Sequence, residues 1–182
     1  PMAFLLKRRL SPKLMNLENE KAQNNMGSAK ISKNHLIVLL SIAGFSCCVA
    51  MSMPQIHIVA LCTDLGFTIK VGSEMLSLML IGGIISRFAS GLLADYWGGI
   101  ITLLIGSTLQ CLSLFLFLPF DGLISLYVVS LIFGLSQGGI VPSYTMIIRE
   151  YMPASEAGAK AGFVLMMTIL GMAFGGWISG LI

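Results

Sequence analysis

Five long apolar runs follow one another along this chain, and each is long enough to cross a bilayer. A spanning helix needs about 20 consecutive apolar residues at a rise of about 1.5 Å each. The runs cover 36–62, 72–94, 100–118, 123–148 and 158–182. Turn chemistry separates them: Asp64-Leu65-Gly66, the stretch 95–99, Pro119-Phe120-Asp121-Gly122 and Met152-Pro153-Ala154-Ser155. With no water in the hydrocarbon core, each segment must satisfy its own backbone polar groups, so runs of this length fold as helices. The fold class expected is all-α, a polytopic bundle of about five transmembrane helices.

Composition supports lipid as the solvent. The chain is 56% hydrophobic and 10% charged, where soluble domains are about a quarter charged. Of its 11 basic residues, seven precede His35: Lys7, Arg8, Arg9, Lys13, Lys21, Lys30 and Lys33. The net charge of +3 is therefore local to the N-terminal segment. No basic helix with interleaved aromatics is present, so nucleic acid is not an expected partner. With residues 7–34 in the cytoplasm, the turns at 95–99 and 149–157 fall on the same side, the latter flanked by Arg149 and Lys160. The outer side receives Lys70, which is the positive-inside pattern. A multi-pass protein of a cell membrane, plasma or bacterial inner, is expected.

Residues 7–34 are rich in Asn, Lys and Glu, with no sustained apolar period, and read as a flexible cytoplasmic loop. Pro1–Leu6, apolar and followed by three basic residues, reads as the end of a preceding span. The last run is still apolar at Ile182. Two regions are expected, 1–35 (span end and loop) and 36–182 (membrane bundle), as a piece of a longer protein. Cys47, Cys48, Cys62 and Cys111 lie in or beside apolar runs without the paired spacing of a zinc site or a disulfide framework. Neither a metal nor a cofactor is expected.

Several polar residues are costly where they stand. Arg87 lies eight residues before Asp95, so about 12 Å inside that helix end. Its helical neighbours Leu80, Gly83, Ser90 and Gly91 form a small-residue face that suits a packed interior or a cavity. An inward-facing intramembrane arginine is a candidate for an anion or a paired carboxylate. In the fourth run, Ser130, Gln137 and Tyr144 recur every seven residues and share a face, with Pro142 able to free a carbonyl or kink the helix. The first run carries Gln55 and His57 beside Pro54, and the histidine can titrate near neutral pH. Gly134-Leu135-Ser136-Gln137-Gly138 matches a serine-hydrolase elbow, which makes an intramembrane serine hydrolase the alternative enzyme reading. That elbow requires a strand-to-helix turn and a histidine partner, whereas the match lies inside an apolar helical run.

The stretch Gly91-Leu92-Leu93-Ala94-Asp95-Tyr96-Trp97-Gly98 resembles the G-x-L-A-D-x-x-G signature of the major facilitator superfamily. That signature links the second and third spans of each six-span half, and here it follows two spans at a cytoplasmic turn. Gly91 allows close helix contact, Asp95 can cap the next helix, and Gly98 turns the chain. Arg87, four residues before Gly91, resembles the substrate-anion arginine of the monocarboxylate transporters and related oxalate/formate antiporters. The resemblance implies the C-terminal half of a transporter, its five runs matching spans seven to eleven and residues 7–34 the central loop. It implies alternating access for a small organic anion, with the N-terminal half as partner and a proton as candidate coupling ion. Arg87 would then hold a carboxylate, with Gln137, Tyr144, Gln55 and His57 lining the cavity and Gly91, Asp95 and Gly98 shaping the cytoplasmic gate. A non-transporting structural membrane fragment is the remaining alternative.

Overall fold

The computed structural model describes residues 12–29, 32–119 and 122–181. Seven helices run through them: α1 (Pro12–Ala29), α2 (Lys33–Asp64), α3 (Ile69–Trp97), α4 (Gly99–Leu116), α5 (Leu123–Gln137), α6 (Ile140–Tyr151) and α7 (Ala154–Ser179). No strand occurs among the described residues. With α5 and α6 taken as one span, Leu123–Tyr151, five helical segments are long and apolar enough to cross a membrane. The apolar stretch Pro1–Leu6 and the final Ile182 lie outside the described residues.

The bundle is turned outward, as lipid allows. Ile81, Ile85, Phe88 and Leu92 form an exposed stripe along α3, while Gln110, Ser113, Ser130, Ser136 and Gln137 are buried. Apolar side chains gain nothing by leaving lipid for protein, so close van der Waals packing and interhelical hydrogen bonds hold such helices together. Glycine makes the two closest approaches possible. Along the α3–α5 seam, a Cβ at Gly134 would collide with the Met79 backbone, and one at Gly138 with the Gly83 carbonyl. Along the α2–α7 seam, a Cβ at Gly171 would collide with the Phe45 carbonyl, and one at Gly175 with Ser52 and Val49. These two pairs are the most extensive helix contacts of the fold.

Two sequence expectations need correction. The fourth run is interrupted: helix α5 stops at Gln137 and α6 starts at Ile140, and Gly138–Gly139 between them are turn. Pro142 accounts for this. It has no N–H for the Gly138 carbonyl four residues back, and its ring crowds that carbonyl. The first backbone bond past the break runs from Ser143 N–H to the Gly139 carbonyl at 3.2 Å.

The polar segment 7–34 is not simply loop, because helix α1 occupies Pro12–Ala29. Pro12 suits a first helical position, and the segment is otherwise free of helix breakers until Gly27. Tertiary contacts complete the helix. Ala22 is buried, Asn25 Nδ2 donates to the Glu150 carbonyl at 3.0 Å, and Asn19 Oδ1 accepts from Ala154 N–H at 3.2 Å. One face of α1 thus supplies polar groups to the end of α6 and the start of α7, where backbone groups lack helical partners.

Candidate functional site

Arg87 lies on a flank of α3 that the rest of the bundle leaves open. It is exposed, and its guanidinium has no hydrogen-bond or ion-pair partner among the described residues. The same flank carries Ser77, Ile84 and Gly91, and a Cβ at Gly91 would meet nothing within 4 Å. The adjoining flank belongs to the α3–α5 seam. Gly83, one turn before Arg87, closes on Gly138, and Ser90, one turn after, closes on Gly139. The arginine therefore stands level with the interruption between α5 and α6.

Gln55 and Gln137 meet, with Gln55 Nε2 donating to Gln137 Oε1 at 3.0 Å. The bond ties α2, one residue past Pro54, to the last residue of α5. Both positions sit where a proline weakens the backbone ladder, so the amide pair joins two discontinuities at one level of the bundle. Gln137 is buried and Gln55 half-buried. His57 is half-buried, with Nε2 2.7 Å from Ser179 Oγ at the end of α7.

Tyr144 is placed otherwise. It is 1% exposed and packs in the core with Ile140, Ile147, Ile148 and Val164. Ser130, on the same face, is also fully buried. Tyr144 and Ser130 therefore face the interior of this bundle.

At the signature turn, Gly98 has φ 83° and ψ 165°, a region essentially limited to glycine. The capping expected of Asp95 is not made. Asp95 lies in the last turn of α3, where side chains point back along the helix, away from the start of α4. The carboxylate that receives the Gly99 N–H is Glu150, at 3.0 Å through Oε1. Asp95 is exposed and shares a pocket of about 660 Å³ with Lys21, Asn25, Arg149 and Glu150. Glu150 escaped sequence reading because its target lies 51 residues earlier, and only its place at the same end of the bundle pointed to it. Gln110 escaped too. It is buried, accepts from Cys47 Sγ at 3.2 Å and donates to the Cys47 carbonyl at 3.1 Å, locking α4 to α2.

Ser136 has no catalytic setting. Its Oγ donates to the Phe133 carbonyl at 2.8 Å and lies 3.2 Å from Ser113 Oγ. His57 is engaged by Ser179, and His35 is exposed at the start of α2.

Five apolar spans, closely packed along glycine seams, form a membrane-type helix bundle. Residues 37–182 match the Major Facilitator Superfamily, and the chain belongs to that family of multi-pass membrane transporters. Among curated proteins it is similar to monocarboxylate transporter 13 of Rattus norvegicus, 29% identical over 130 residues. It is likewise similar to monocarboxylate transporter 13 of Bos taurus, at 26% over 130 residues. Each match covers 70% of this chain and 30% of the relative, so the chain spans under a third of these relatives' length. No solved structure matches.

Proposed function

We propose that the chain is half of a secondary transporter that moves a small monocarboxylate-like anion by alternating access, with Arg87 holding the carboxylate. The observation that carries the reading is the Arg87 guanidinium, unpartnered among the described residues on the open flank of α3. A charge at the centre of a membrane helix costs about 2.5–3.5 kcal/mol on insertion scales, so it is kept for a partner or a ligand. The planar fork of arginine matches a carboxylate in a bidentate pair. The likeness to monocarboxylate transporter 13 supports an organic anion as substrate.

Gln55 and Gln137 are assigned to the wall of the cavity, since their amides sit at the level of the helix interruption and can exchange their mutual bond for a bond to substrate. His57 is assigned to the outer wall, and Tyr144 to the support behind it. The binding site lies between this half and an N-terminal half, and the two rock about it. Gly91, Asp95 and Gly98 form the cytoplasmic gate, with residues 7–34 in the cytoplasm and a proton as coupling ion. A cell membrane, plasma or bacterial inner, is the proposed location.

The test is transport by the full-length protein in proteoliposomes. Uptake of labelled lactate, inhibited by unlabelled lactate and unaffected by lactamide, is the expected result. Equal inhibition by the neutral amide would remove the anion from the reading, and no uptake of any small anion would favour a structural role.

A further inference from the structure

An anion bound to Arg87 cannot draw its coupling proton from the guanidinium, which stays charged at all physiological pH. A proton that travels with it needs another seat. Within the described spans, the other Asp, Glu, Lys, Arg and His side chains lie within the first two turns or the last turn of their helices, except His57. His57 stands seven residues, about 10 Å, inside the outer end of α2. Histidine is also the side chain whose charge ordinarily changes between about pH 5 and 8.

The bonds around the ring favour the tautomer with its hydrogen on Nε2. Ser179 Oγ donates its hydrogen to the Gly175 carbonyl at 2.6 Å, with the Gly176 carbonyl at 3.2 Å. That oxygen therefore accepts from His57, and the hydrogen of the neutral ring sits on Nε2, 2.7 Å away. Nδ1 keeps a lone pair with no partner among the described residues. A proton arriving at Nδ1 leaves the Ser179 bond intact and makes it charge-assisted.

The surrounding helices bring few competing charges. Lys70 and Glu74 pair at 3.9 Å at the start of α3, and Glu74 also accepts from the Tyr127 hydroxyl of α5 at 2.5 Å. Asp64 closes α2 and is exposed. The charged residues of α7 (Glu156, Lys160) and α6 (Arg149, Glu150) lie at the opposite end. The ring sits just past the last glycine contacts of the α2–α7 seam, where Gly175 meets Val49 and Gly176 meets Ile56. Its charge is thus presented to both helices of that pair.

We propose that His57 is the proton seat of the transport cycle. One proton from the outer water bonds to Nδ1 as one carboxylate binds at Arg87, and both leave on the cytoplasmic side. The imidazolium gained and the carboxylate bound cancel, so the substrate and its proton add no net charge. This inference rests on the anion-transport reading above.

Proteoliposomes of the full-length protein, loaded with a pH-sensitive dye, report proton entry while labelled lactate uptake is followed. The wild type is expected to acidify the lumen about one proton per lactate and to take up lactate at least tenfold faster with the outside acidic. His57→Gln keeps a donor for Ser179 but cannot titrate. It should lose proton entry and the pH-driven component of lactate uptake, at a melting temperature close to wild type. Lactate uptake without proton entry in the wild type, or unchanged proton entry in His57→Gln, would overturn the inference and leave the Arg87 reading standing. Failure of the Arg87 reading is separate, since it shows as lactate transport that survives Arg87→Ala.

Discussion

Gln55 and Gln137, 82 positions apart in sequence, are joined by a single amide–amide hydrogen bond at 3.0 Å. It holds α2 beside Pro54 against α5 beside its interruption, where neither backbone ladder is complete. Removing one partner leaves the other amide buried without a mate, which costs about 1–3 kcal/mol. Gln55→Leu in the full-length protein, which strands the buried Gln137 amide, should lower thermal stability in detergent, whereas Gln55→Leu combined with Gln137→Leu should restore much of it. If the double variant is the sum of the two singles, the residues act independently and the link is incidental.

The glycine seams predict unequal sensitivity among glycines of one helix pair. Gly134→Leu drives a side chain into the Met79 backbone, and overpacking of this kind costs about 1–3 kcal/mol or more. Gly91→Ala meets nothing within 4 Å. Expression and melting temperature of the full-length protein should fall for Gly134→Leu and stay at the wild-type level for Gly91→Ala. A defect of Gly91→Ala confined to transport would locate its role at the contact with the other half.

Asp95 and Glu150, two acids at the same end of the bundle, should separate by function. Glu150 meets the Gly99 N–H, and a charge at a helix N-terminus is worth about 0.3–1 kcal/mol. Glu150→Gln should therefore lower stability by roughly that amount. Asp95, exposed in the shared pocket, should be silent in a melting experiment. Asp95→Asn is expected to slow exchange across the membrane while leaving equilibrium lactate binding nearly intact. Loss of binding with normal exchange would place Asp95 in the substrate site.

The five spans and the transport family were legible in sequence because both rest on local signals. Long apolar runs fix spanning helices, and the stretch Gly91 to Gly98 carries the family signature in eight residues. The interruption near Gly138 was half legible, since Pro142 announced a freed carbonyl but not that two glycines would take up the slack as turn. Contacts between distant segments were not legible. Helix α1 meets the α6–α7 junction through Asn19 and Asn25, 135 and 125 residues away. Composition alone therefore read it as loop. The Tyr144 stripe showed its period but not its direction, because helical spacing tells which residues share a face and not what that face meets.

Docking of α1 has a direct readout. Asn19→Ala with Asn25→Ala removes both side-chain bonds to the α6–α7 junction. In inverted vesicles, protease should cut the segment 12–29 several-fold faster in the double variant than in the wild type. Equal rates would mean that these bonds do not hold the helix.

Substrate uptake by Arg87 variants tests the central claim most directly. In the full-length transporter at matched membrane expression, Arg87→Lys keeps the charge but loses the planar fork, and should weaken lactate uptake. Arg87→Ala should reduce uptake to near background while leaving melting temperature close to wild type, as its guanidinium has no partner among the described residues. Undiminished lactate uptake by Arg87→Ala would contradict the assignment. So would recovery of uptake on removing an acidic residue of the other half, which would make Arg87 a structural ion-pair member.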